Sequence, residues 1–272
     1  MAITEQETQI FQYNEYPVEV SLRLGQRPAR GRTHSGVDCS NEGRMIRFLV
    51  MNAALVAATS LVTGCGGGGS GATGTVYNAR LAYENLLSAP SKSFVLNGTA
   101  SNGDLFTLTW TIAPQGQATF QLTNTLAQQV DSSVVIAKGA AVISSGTQQS
   151  YLTGTFIGLG SFRPADGSCS ESSGQQYPTA ATVGQSGSLG TSIIYGTCNK
   201  TLTDIIGSIE GTWSVETIGS ITYVCSNSIS KDNAGAVLST EVNCVEFTPA
   251  GAVGTHARWT VTVQGETVVF SN

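Results

Sequence analysis

Ser93-Phe94-Val95-Leu96-Asn97-Gly98-Thr99-Ala100-Ser101-Asn102-Gly103-Asp104-Leu105-Phe106-Thr107-Leu108-Thr109-Trp110-Thr111-Ile112 decides the fold. Phe94 and Leu96 alternate with smaller or polar residues. Phe106, Leu108, Trp110 and Ile112 do the same after a turn. Period-two alternation of this kind marks strands with one buried face. A two-residue Asn102-Gly103 loop would set Leu96 against Thr109 and break the match. A three-residue loop, Ser101-Asn102-Gly103, pairs Phe94 with Trp110, Leu96 with Leu108 and Gly98 with Phe106. That spacing predicts a type I turn followed by a bulge, with Gly103 in the left-handed region.

The same pattern continues on both sides. Runs at Ala118–Thr125, Ser133–Ser144 and Tyr151–Ile157 are separated by Gly, Pro and Asn/Asp/Ser turns. Ser192–Tyr195, Thr212–Ile218, Ser220–Ser230, Val237–Phe247 and Thr255–Val263 follow. At the end, a Gln264-Gly265 loop pairs Val261 with Val268 and Trp259 with Phe270. The single helical candidate is Tyr77–Ala89, with Tyr77, Leu81 and Leu87 loosely on one side and Pro90 ending it; it reads as a short lid or spacer. Short strands without strand–helix alternation predict an all-β chain, an antiparallel β-sandwich or barrel. Residues 162–181, with Pro164, Asp166-Gly167 and Pro178, read as a long crossover or as the boundary of two sub-domains within 75–272.

Ahead of these strands stands Met45-Ile-Arg-Phe-Leu-Val-Met-Asn-Ala-Ala-Leu-Val-Ala-Ala-Thr-Ser-Leu-Val-Thr-Gly-Cys65. Arg44 and Arg47 flank its start, and Phe48–Val62 is a mostly apolar run too short to span a bilayer. Val62-Thr63-Gly64-Cys65 resembles the lipobox of bacterial lipoproteins, with Val where that family prefers Leu. The resemblance implies a signal-peptide helix over 45–64, cleavage between Gly64 and Cys65, and lipidation of Cys65. Residues 66–74, Gly-Gly-Gly-Gly-Ser-Gly-Ala-Thr-Gly, would then be a tether reaching roughly 17 Å root-mean-square, from about 5–6 Å × √n. They lack the Lys-Ser/Thr of a phosphate loop. Residues 1–44 are expected to be disordered, either an over-extended start upstream of Met45 or a genuine long leader.

Six of the thirteen Lys+Arg and six of the eighteen Asp+Glu precede Cys65, so Cys65–Asn272 carries seven against twelve, a net charge of −5. No basic patch remains to neutralise phosphates, which speaks against nucleic acid as a partner. With Cys39 cleaved away and Cys65 acylated, four of the six cysteines remain, and in an oxidising compartment they read as two disulfides. A four-residue loop, Asn233–Ala236, places Cys225 opposite Cys244, which leaves Cys169 with Cys198. Zinc would call for close Cys-x-x-Cys pairs, and none occurs. No metal or cofactor is expected.

No catalytic constellation emerges. His256 stands alone after Cys65. Gly184-Gln185-Ser186-Gly187 does not meet Gly-x-Ser-x-Gly. Asp204, Glu210 and Glu216 are close in sequence without being placed as an acid–base pair, and Asp232-Asn233-Ala234-Gly235 reads as a turn rather than a calcium loop. Trp110, Trp213 and Trp259 fall on apolar faces and read as core, leaving Tyr151, Tyr177, Tyr195 and Tyr223 as candidates for a binding surface. In its Gly/Ser/Thr-rich strands and late cysteine hairpin, the chain also resembles β-rich lipoproteins of Gram-negative bacteria. By that resemblance it belongs to the cell envelope, anchored by lipid at the outer membrane, on the periplasmic face or the cell surface. Gly66 stands where an Asp would retain an enterobacterial lipoprotein at the inner membrane. The leading expectation is a non-enzymatic structural or protein-interaction role, with an envelope protein or glycan as partner. A carbohydrate- or small-ligand-binding module is the alternative, and an extracytoplasmic hydrolase built on His256 a second.

Overall fold

The computed structural model describes residues 74–88, 90–100, 103–263 and 265–272, and two three-residue strands near the N-terminus. Cys65, Gly64 and residues 66–73 of the tether lie outside the described residues. So do residues 1–44 and the expected signal helix, apart from those two strands, Val20–Leu22 and Ile46–Phe48, which pair antiparallel. Ile46–Phe48 is thus extended where a helix was expected, consistent with the strand preference of Ile and Phe.

From Lys92 onward twelve strands close into one barrel. They are β1 (Lys92–Thr99), β2 (Leu105–Phe120), β3 (Thr125–Lys138), β4 (Ala141–Leu152), β5 (Gly158–Phe162) and β6 (Cys169–Ser172). The second half comprises β7 (Ser186–Tyr195), β8 (Ile205–Ile218), β9 (Ile221–Asp232), β10 (Val237–Phe247), β11 (Val253–Val263) and β12 (Glu266–Ser271). Each strand pairs antiparallel with the next in sequence, and β12 returns to β1. That closing seam is short, with Asn97, Gly98 and Thr99 against Ser271, Phe270 and Val269. The stretch 162–181 ends β5, supplies β6 and leads to β7, so one sheet runs through it and the wall is not divided there.

Side-chain matching set the registers. Phe94 faces Trp110, Leu96 faces Leu108 and Gly98 faces Phe106; Gly103 has φ +86°. Trp259 faces Phe270 and Val261 faces Val268. Cys225 stands opposite Cys244, and the disulfides join Cys225 to Cys244 and Cys169 to Cys198. Asp232 Oδ1 accepts the Ala234 and Ala236 amides, which closes a turn.

Phe106, Leu108, Trp110 and Ile112 point inward, as do Trp259, Val261 and Val263. Their alternating neighbours Thr107, Thr109, Thr111, Arg258, Thr260 and Thr262 point outward. A membrane-spanning barrel has an apolar outer band and a polar lumen; this wall is arranged the other way. Among the described residues no helix is long and apolar enough to cross a membrane.

A second buried cluster sits on the outer side. Ser150 lines the inside, so Tyr151 faces out, stacked on Phe120 with ring centroids 4.6 Å apart. Phe120 and Leu122, at the tip of the β2–β3 hairpin, cover Tyr151, Cys169 and Tyr195 from outside. Gly160 is required beneath this tip. A Cβ there would lie 1.9 Å from the Ser170 carbonyl oxygen and 2.8 Å from the Phe120 ring, at φ +152°. Gly160→Ala is expected to lower stability by about 1–3 kcal/mol or more; a melting temperature equal to the parent's would contradict this packing.

Helix α1 (Ala79–Ser88) closes one end. Asn78 caps it, its Oδ1 accepting the Leu81 amide at 3.0 Å. Asn78 and Arg80 amides donate to the Pro249 and Pro178 carbonyls, and Asn85 Nδ2 donates to the Gly251 carbonyl. The buried face is Ala79, Ala82, Leu86 and Leu87, whereas Leu81, expected on it, is exposed. The small alanines let the helix approach the strand ends closely. Tyr77, placed in the helix by sequence, instead bridges Ala181 as an extended residue.

Candidate functional site

Beneath α1 lies a partly open space of about 80 Å³. The helix contributes Tyr83, Leu86 and Leu87; the wall contributes Trp110 from β2, Ser226 from β9 and Asn243 from β10. Tyr177, from the connection between β6 and β7, faces Tyr83 with ring centroids 4.6 Å apart. Burial pushes both phenols well above their ordinary range, so both remain neutral.

Polar groups on the inner face of the barrel, in this space and beyond it, are incompletely paired. Trp110 Nε1 donates to Ser132 Oγ at 3.1 Å, and Gln148 Nε2 donates to Ser150 Oγ at 3.3 Å. Asn243 Nδ2 donates to Glu241 Oε1 at 3.2 Å. Asn243 Oδ1 has no partner, and Gln148 Oε1 and Trp259 Nε1 have none. Ser226 Oγ lies near the Tyr177 hydroxyl, outside ordinary hydrogen-bond geometry. Glu241, one layer deeper on β10, is fully enclosed. Desolvation pushes its carboxyl up to about 8, against a smaller opposing pull from Asn243 and the nearby Trp259 indole. At neutral pH it is an uncharged acid.

No protein family, curated protein or solved structure matches this chain.

The residues singled out by sequence are dispersed. Trp110, Trp213 and Trp259 are buried in the main core; Tyr177 lines the cavity; Tyr151 and Tyr195 lie in the outer cluster; Tyr223 packs beside Cys225 and Cys244. No exposed Tyr or Trp stands among the described residues, so the wall offers no aromatic platform for a sugar there. His256 Nδ1 pairs with Glu246 Oε2 at 2.7 Å. That hydrogen bond, helped by the His256 and Thr255 amides, holds the Glu246 carboxyl below its usual range. The His256 ring hydrogen-bonds to no serine among the described residues.

The acidic candidates are also apart. Glu210 pairs with Lys231, Glu216 accepts from Ser214, and Asp204 accepts from Thr197. Glu210 and Glu216 are six residues apart on β8, roughly 20 Å at about 3.3 Å per residue. Ser186 opens β7 opposite Ser214, with no helix after it. Glu216, Cys225 and Cys244 gather closely, but the two sulfurs are bonded to each other and leave no thiolate for an ion.

Tyr83, Ser226, Glu241 and Asn243 were not anticipated. The one available signal was their phase: Ser239, Glu241, Asn243 and Val245 alternate along β10, which puts a carboxyl and an amide in line with a core valine.

Proposed function

We propose that this chain is a lipid-anchored protein of the bacterial cell envelope whose barrel stands clear of the bilayer in a non-enzymatic support or interaction role. The orientation of the wall carries the reading: on β2 and β11 threonine and arginine side chains point outside, and the large aromatic and aliphatic ones point inside. Such a barrel is suited to water and would need a separate anchor to reside at a membrane, and the lipobox-like Val62–Cys65 would supply one. Two disulfides favour a non-reducing compartment. The absence of a serine on the His256–Glu246 pair favours the non-enzymatic reading over a hydrolase. Acylated Cys65 would sit in membrane lipid, with an envelope protein or glycan as the partner of the barrel.

Intact mass of protein extracted from membranes tests the anchor. The expected chain starts at Cys65 and carries acyl mass. An unmodified chain starting at Met1, or a soluble one lacking Cys65, would refute it. Crosslinking in living cells, with identification of the captured neighbours, tests the interaction role.

A further inference from the structure

We propose that the space beneath α1 is a binding site for one small uncharged molecule, with a flat apolar body and a hydrogen-bond donor, that enters past Leu87. Three observations converge on it. First, the walls are aromatic and aliphatic, with Trp110, Tyr83 and Tyr177 around the space, as small-molecule sites are. Second, its polar contribution is unsatisfied. Asn243 is only 5% exposed, and its Oδ1 has no partner. Buried polar atoms are nearly always hydrogen-bonded, so an orphan acceptor on a side chain that lines the space marks a place where a donor would be satisfied. No charged residue lines the space, and a charged guest would lose its hydration without compensation.

Third, there is a route in. An open groove of about 520 Å³ runs alongside, lined by Gln115, Gln128, Gln129 and Phe156, and Leu87 and Val130 border both spaces. The Leu87 side chain on the last turn of α1 therefore stands between the groove and the inner space. The size sets the class of guest. At roughly 10–15 Å³ per water-sized centre, about 80 Å³ suits a molecule of about five to eight heavy atoms. This site depends only on the barrel and α1, and it holds whether or not Cys65 is acylated.

Phenol is a suitable probe, with toluene as the same shape without a donor. Titration of the disulfide-intact protein, followed by the indole N–H signals of Trp110 and Trp259 in NMR spectra, should show saturable phenol binding with a Kd on the order of 1 mM or below. Toluene should bind at least about tenfold more weakly. Asn243→Leu should weaken phenol about tenfold and leave toluene unchanged or tighter. If that variant fails to fold, Ser226→Ala, which removes the hydroxyl without adding bulk to the space, supplies the comparison. Leu87→Ala should speed exchange of phenol without moving the bound position. Overturning results would be no saturable shift, equal affinity for phenol and toluene, or a high-resolution structure soaked in phenol with water alone beneath α1.

Discussion

Glu241→Gln is expected to flatten the pH dependence of stability and to make the protein more stable than its parent at pH 8.5. Glu241 is fully enclosed in the barrel, beside Asn243 and Trp259, with no cation among the described residues contributing to its charge balance. Its carboxyl titrates near 8 in the folded chain against an ordinary 4.5, so the folded state holds the proton more tightly than the unfolded one. The contribution to stability is then fully present below about 4.5 and is lost as the pH rises toward 8. At about 1.4 kcal/mol per pH unit, the loss over that window reaches on the order of 5 kcal/mol at most. Glutamine reproduces the shape and neutrality of the protonated acid and does not titrate. Urea denaturation of both proteins at pH 5 and pH 8.5 measures the difference. Parallel pH profiles would show that Glu241 is hydrated or charge-compensated.

The second large effect is expected from Cys225→Ala with Cys244→Ala. The bond spans 19 residues, for which the loss of chain entropy in the unfolded state corresponds to about 3 kcal/mol. Both cysteines are wholly buried on the outer side of the wall, under Tyr223 and Val242, so their removal also leaves a cavity, which adds to the loss. Burial separates the two disulfides in another way. Cys198 is only half-buried, so a mild thiol reductant applied to the folded protein should open Cys169–Cys198 first. Mass-resolved alkylation over time reads the order; simultaneous opening would mean that the β9–β10 region unfolds locally.

The clearest parts of the fold in the sequence were hairpins whose two faces differ in polarity. The β1–β2 and β11–β12 pairs have large apolar residues on one face and mainly Thr, Ser or Asn on the other, with Val95 and Val269 as exceptions, so one register matches the faces best. Where both faces are buried, that contrast fades. On β9, Val224 faces the core while Tyr223 and Cys225 are covered from outside, and alternation alone does not say which side is which. Boundaries blurred for a related reason. Ala118–Thr125 and Ser133–Ser144 read as runs, yet each crosses a turn, at Asn124 with φ 52° and at Gly139 with φ 60°. Tyr151–Ile157 contributes only two residues to β4 before turning.

The candidate site was the least legible part. It is lined by serines, an asparagine and tyrosines that look like surface residues in a linear reading, and they meet only because the barrel closes. Ser192, Ser228, Ser230 and Ser239 are all buried, a serine-lined interior that no local pattern announces. Choosing between a sandwich and a barrel had the same limit, because it depends on pairing between segments separated by almost the whole domain.

That pairing also sets the order of biogenesis. Eleven ladders join strands adjacent in sequence and are available as soon as each hairpin emerges. The twelfth, β12 against β1, spans about 170 residues and rests on three paired positions. Contacts so distant form late, after the loop-closure entropy has been met by everything between them. Until residue 271 is in place the chain is a curled sheet with two unprotected edges, β1 and whichever strand was made last, and each is a template for pairing with another copy. A chain destined for export would traverse its most aggregation-prone state just before completion, which makes its last six-residue strand the step that a folding helper would have most reason to guard.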